Sequence, residues 1–154
     1  METKYLSTSE TAKYIRNALK QNFPTTKFSV RSHVYAGGSS IRVSYFDGPA
    51  KDKVNLVAGS FAGATFDGMQ DLKEYNKPTE VNGEMISWGA DFVFVDRVIS
   101  HNNQLVLAEE ISQEYFSKPF DGNFNTYLGF NNRDDYHAKI WQLSYNRDFG
   151  GQNA

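Results

Sequence analysis

The feature that most limits what this chain can fold into is a change of apolar period over a few residues. Ala12, Ile15, Leu19 and Phe23 recur at three- and four-residue steps, the spacing of one helix face. From Phe28 the period is two. Phe28, Val30 and Val34 alternate with Ser29, Arg31, His33 and Tyr35, and Ile41, Val43 and Tyr45 alternate with Arg42, Ser44 and Phe46. Pro24 stands between the two patterns and ends the helix, because the residue before a proline is pushed out of helical geometry. A chain that switches in this way has a helical stripe and a strand face to bury against each other, so the expected class is α+β.

The start of the helix is marked as clearly as its end. Ser7 with Glu10 fits a capping box, in which the serine hydroxyl caps an early backbone N–H and the glutamate reaches back. Lys13, Arg16, Asn17, Lys20 and Gln21 face away from the stripe and read as a solvated surface.

The two alternating runs flank Gly37-Gly38, and glycine tolerates the positive φ of a two-residue hairpin turn. With that turn Ala36 faces Ser39. Val34 then lies opposite Ile41, and Val30 opposite Tyr45, on one face. The other face pairs Tyr35 with Ser40, His33 with Arg42, Arg31 with Ser44 and Ser29 with Phe46. Two arginines, a histidine and two aromatics then share an otherwise uncharged surface, and Arg31, His33, Tyr35, Arg42 and Ser44 are the candidate binding residues. Such a surface can contact phosphates through arginine and stack bases on its aromatic rings.

Downstream, Asp47-Gly48-Pro49 reads as a turn that starts a second helix over Lys51–Ser60, and Gly68–Tyr75 as a helical turn or two. Thr79–Ser87 and Asp91–Ile99 read as a second strand pair joined near Trp88-Gly89. Phe92, Phe94 and Asp96 fall on one face of the latter run and Val93, Val95 and Arg97 on the other, which reads as a central strand. Asn102 or Asn103 caps a third helix with the stripe Leu105, Ala108, Ser112 and Tyr115, and with Val106, Glu109 and Glu110 more exposed; Pro119 ends it. The remainder is rich in Asn, Tyr and Asp; Tyr136, Ile140, Leu143 and Ser144 fit a helix, which is favoured, while Lys139, Trp141, Leu143 and Tyr145 also fit a strand, and the GGQNA end reads as frayed. FDG occurs at 46–48, 66–68 and 120–122 with unequal spacing, which is turn chemistry rather than a repeat. The expected architecture is an antiparallel sheet of about four strands with helices packed on it. Residues 1–117 form an α+β domain, and 118–154 an aromatic- and Asn-rich extension of the same domain.

Several chemistries are disfavoured. The 154 residues include no cysteine, which removes disulfides, thiolate zinc sites and cysteine nucleophiles. Gly37-Gly38 precedes a strand, whereas phosphate loops open a helix. His33, His101 and His137 lack metal-site spacing, no serine-elbow motif is present, and Asp67 with Asp71 is a spacing common by chance. No metal, no cofactor and no catalytic residue is therefore expected. The net charge of −2 gives no global footprint for nucleic acid. No apolar run reaches membrane-spanning length and the first residues do not read as a secretory signal, so the expectation is a cytoplasmic protein of the host cell, with no membrane contact.

The stretches FSVRS, GGSSI, DGP, FDGM and WGADF, with the helix before them, resemble the large polyvalent protein-associated domain family numbered 29, over roughly residues 7–100. The segment 118–154 falls outside the resemblance. The resemblance implies a protein of phages, plasmids or other mobile elements, where such domains occur in large multi-domain proteins thought to help incoming DNA establish itself. It carries no catalytic residues over. The function expected on these grounds is that of an accessory protein acting by binding a host or phage protein complex, of an anti-CRISPR or anti-restriction kind. The alternative is a nucleic-acid-binding module that uses the arginine-bearing hairpin face.

Overall fold

The computed structural model describes residues 2–67, 72–129 and 132–149. In chain order the elements are β1 (Thr3–Tyr5), α1 (Thr8–Asn22), β2 (Ser29–Tyr35), β3 (Gly38–Phe46), α2 (Lys51–Gly59), β4 (Ala64–Asp67), β5 (Leu72–Tyr75), β6 (Thr79–Val81), β7 (Glu84–Ser87), β8 (Phe92–Val98), α3 (His101–Phe116), β9 (Tyr127–Gly129), β10 (Asn132–Asp135) and α4 (Tyr136–Ser144). The class is α+β, with an N-terminal helix followed by a hairpin. The strands divide between two three-stranded mixed sheets, ordered β2-β3-β8 and β1-β7-β6, and two hairpins, β4-β5 and β9-β10, in place of one antiparallel sheet of four.

The helix signals are realised closely. The Ser7 hydroxyl accepts from the Glu10 N–H at 3.1 Å and the Glu10 carboxylate accepts from the Ser7 N–H at 3.0 Å. Ala12, Ile15 and Leu19 are buried, with Phe23 packed at the edge. They meet Val30, Ile41, Val43, Tyr45 and Val95 from β2, β3 and β8, together with Val54 and Ala58 of α2, in one core. Both helices therefore cover the same face of the β2-β3-β8 sheet. Burying that many branched side chains is the main stabilising contribution.

The order of the strands differs from the local reading. β8 does not pair with the strand before it. It lies parallel to β3, with Ser40 beside Phe92, Arg42 beside Phe94 and Ser44 beside Asp96. A parallel pair needs a long crossover, and residues 47–91, including α2, supply it. Thr79–Ser87 is instead its own hairpin, β6-β7, turned at Asn82-Gly83, both with positive φ, and β7 pairs in parallel with β1. β8 is thus an edge strand of its sheet, with β3 in the centre. Its two apolar faces arise because one packs on the helices and the other is exposed, and periodicity alone does not separate these cases. Leu72–Tyr75 is extended, not helical.

The WGADF stretch forms the joint of this arrangement. The Gly89 carbonyl accepts from the Thr8 and Ser39 hydroxyls, each at 2.9 Å, and the Gly89 N–H donates to the Thr11 hydroxyl at 2.8 Å. A Cβ on Gly89 would lie 2.1 Å from the Leu6 carbonyl oxygen, so only glycine lets the start of α1 approach this closely. Trp88 is flanked edge-on by Tyr14 and Phe61.

A second core joins α3 and α4. Leu107, Ala108, Ile111, Leu128, Tyr136 and Ile140 are buried there, with Phe120, Phe124, Leu143 and Phe149 packed around them. The α3 stripe is shifted from the expected one: Leu107 and Ile111 point inward with Ala108 and Ser112, while Leu105 and Tyr115 are exposed. Ser100, not either asparagine, caps α3, its hydroxyl accepting from the Asn103 N–H. Asp135 caps α4 by accepting from the Ala138 N–H.

Candidate binding face

The β2-β3 register sets which side chains share the outer face. Arg31 lies beside Arg42, Ser29 beside Ser44, His33 beside Ser40 and Tyr35 beside Gly38. The turn is therefore Ala36-Gly37, with Gly37 at φ 87°, and the expected partners His33–Arg42 and Arg31–Ser44 are each replaced. Each partner moves by two residues, and strand side chains alternate with a period of two, so the set on each face is unchanged. Arg31, His33, Tyr35, Arg42 and Ser44 do share one surface.

That surface is the side of the sheet that α1 and α2 leave uncovered. Arg31, His33, Tyr35 and Arg42 are exposed and Ser44 is half-buried. Parallel pairing with β8 adds Phe92, Phe94, Asp96 and Val98, which local reading did not bring to this face. Phe46, Phe94 and Val98 are 54%, 45% and 50% exposed, values that mark an apolar surface left in water rather than a core boundary. The signal for the β8 contribution was present, since Phe92, Phe94 and Asp96 already alternate. What was missing was the pairing across more than fifty residues of chain.

The face is not uncharged beyond its arginines. Asp96 forms an ion pair with Arg42, whose guanidinium also lies over the Phe94 ring, 5.4 Å from its centroid. Both partners are half-exposed, so the pair adds little stability and chiefly holds Arg42 in place. The His33 and Tyr35 rings lie 5.6 Å apart on the same strand. At one end of the sheet, a hollow of about 390 Å³ opens among Lys27, Phe28, Ser44, Phe46 and Val98, continuous with the face through Ser44, Phe46 and Val98.

The other residues considered from sequence fall elsewhere. Asp67 ends β4 and Asp71 lies outside the described residues, as does the Gly68 of the second FDG. The GGQNA end, residues 150–154, likewise lies outside the described residues. His101 and His137 both approach Phe124, at 6.3 and 5.2 Å between ring centroids, while His33 is on the sheet face. Among the described residues no group of three or more His, Asp or Glu is arranged to hold a metal ion, and no helix is long and apolar enough to cross a membrane. Glu109 accepts from the Phe120 N–H, and Glu110 pairs with Arg147 at 2.5 Å.

Reasoning from sequence did not single out Arg97, which is buried on the helix side of β8. Its Nε donates to the Asp47 carbonyl at 2.8 Å. Nη1 donates to Ser144 at 2.5 Å, and Nη2 to Gly48 at 2.9 Å and Arg147 at 2.7 Å, all backbone carbonyls. Tyr45 and Phe149 rings flank the guanidinium. Burial lowers the Arg97 pKa from its ordinary value, opposed by Tyr45 and Asp47, and burial pushes the Tyr45 hydroxyl up to about 12.

The model of the family described as large polyvalent protein associated domain 29 matches residues 6–100, from the residue before the α1 cap to the end of β8 and the α3 cap. No curated protein and no solved structure matches the chain.

Proposed function

This chain belongs to the family of the large polyvalent protein associated domain 29, which associates it with phages and mobile elements, and from that membership we propose that it is an accessory protein acting by binding. Its partner is a host or phage protein complex, and the outcome of binding is inhibition of a counter-defence kind. The observation that carries this reading is the uncovered face of β2-β3-β8. Tyr35, Phe46, Phe94 and Val98 stand in solvent there, interleaved with Arg31, Arg42 and Asp96. Exposed aromatic and arginine side chains on a rigid element, beside a hollow that can receive an anchor, match the composition of protein-docking surfaces. The absence of a metal cluster among the described residues does not bear on this reading.

A nucleic-acid reading draws on the adjacency of Arg31 and Arg42 beside exposed rings. The Asp96 carboxylate on Arg42 and the net charge of −2 favour a protein partner instead. The two separate in one experiment. Immobilised protein and its Phe46→Ser/Phe94→Ser variant are compared for capture from host lysate and for retention of single- and double-stranded DNA and RNA at rising salt. Proteins captured by the wild type and lost by the variant support docking on this face. Salt-sensitive nucleic-acid retention with no face-dependent protein capture supports the second reading.

A further inference from the structure

Next to the open face, with Val98 at the boundary, the end of β8, the first turn of α3 and α4 border two adjoining hollows that share Arg97, Ile99, Trp141 and Ser144. The larger has a volume of about 350 Å³ and is also lined by His137 and Ile140; Lys51 borders the smaller. That volume is in the range of small-molecule sites. We propose that this groove binds a small molecule that joins a flat ring to an anionic group, a carboxylate or a phosphate.

Charge and shape carry the assignment. Lys51, Arg97 and His137 line the hollows, and among the described residues no Asp or Glu does. Arg97 is 8% exposed, and its four hydrogen bonds end on neutral carbonyls; among the described residues no carboxylate lies within ion-pair distance of it. Carbonyls satisfy its N–H groups without matching its charge, and a buried charge gains from a counter-ion. Tyr45, Asp47, Asp148 and Asp52 act on it electrostatically, yet none of them lines the groove. Trp141 is 62% exposed with its ring beneath the Lys51 ammonium, 5.3 Å from the centroid, and His137 stacks on Phe124 at 5.2 Å and 23°. A tryptophan left in water beside cations is a surface on which a second flat ring can stack while its anionic group meets those cations.

Adenosine monophosphate and indole-3-carboxylate are the probes, with adenosine and inorganic phosphate as half-ligands, titrated by calorimetry against the wild type, Trp141→Ala, His137→Ala and Lys51→Ala. Each of these side chains is at least partly exposed, so the variants are expected to keep the wild-type melting temperature, which is recorded alongside. One ring-bearing anion binds saturably, each half-ligand binds more weakly, and Trp141→Ala weakens binding about tenfold. Nucleotide binding without carboxylate binding identifies the anion as phosphate, and the converse as carboxylate. Absence of saturable binding by both probes at millimolar concentration overturns the proposal, as does binding that Trp141→Ala leaves unchanged.

Discussion

Gly89 and Asp148 are two residues whose roles depend on groups far away in the chain. Gly89 faces the Leu6 carbonyl and the Ser7 backbone, so Gly89→Ala forces the start of α1 away from the WGADF joint. A loss of about 3 kcal/mol in urea unfolding is expected, at the upper end of overpacking effects. Asp148 accepts from the Ala50 N–H at 2.7 Å and pairs with Lys53 at 2.5 Å, supplying the start of α2 with the cap that Ala50 lacks. The Lys53 and Ala50 hydrogen bonds hold the Asp148 carboxyl below its ordinary range. A depressed acid contributes stability above its unfolded-state pKa and loses it as pH falls through the native value. Asp148→Asn should therefore cost about 1 kcal/mol at neutral pH, a typical cap effect, and the difference from wild type should vanish in acid. Chemical unfolding of both proteins across that range checks it. No local sequence signal betrays this cap, because Asp148 is 98 residues from Ala50.

At the scale of elements, what was legible was whatever depends on neighbours in sequence. The α1 capping box and stripe follow from Ser7, Glu10, Ala12, Ile15 and Leu19, and all of them act as their spacing indicates. The hairpin was legible to within its turn. Either glycine of Gly37-Gly38 can serve a two-residue turn, and the alternation on both strands fits both registers, so the local pattern did not choose between them. The register places Gly37 alone at positive φ. Gly37→Ala is expected to cost about 1 kcal/mol through left-handed strain, whereas Gly38→Ala, in ordinary strand geometry, costs less. Thermal melts of the two variants compare them directly, and equal losses would restore the Gly37-Gly38 turn. The placement of β8 was not legible, because a strand with one covered and one open apolar face has the same pattern as a central strand.

For the whole molecule, the two cores meet at Arg97, the penultimate residue of β8, which ties Asp47 and Gly48 to Ser144 and Arg147. Arg97→Met removes the donors and leaves four carbonyls without this partner. A loss of more than about 3 kcal/mol is expected, within the range for breaking a buried network, with the α3–α4 part unfolding before the rest. Hydrogen exchange resolved along the chain would report that order. The candidate face was legible as a set of residues from β2 and β3, Tyr35 and Phe46 among them, yet Phe94, Asp96 and Val98 came from β8, and its openness from the packing of both helices on the opposite side. Those depend on a parallel pairing that only the folded chain brings about.

The central claim is that the molecule acts through the open face of β2-β3-β8. Its most direct test is quantitative capture from host lysate by the wild type, by Phe46→Ser/Phe94→Ser and by a control pair on another surface, Leu56→Ser/Tyr75→Ser, whose side chains are also exposed. The sheet-face variant is expected to keep its melting temperature and lose the specifically captured proteins, while the control pair retains them. Equal capture by the wild type and the sheet-face variant would contradict it.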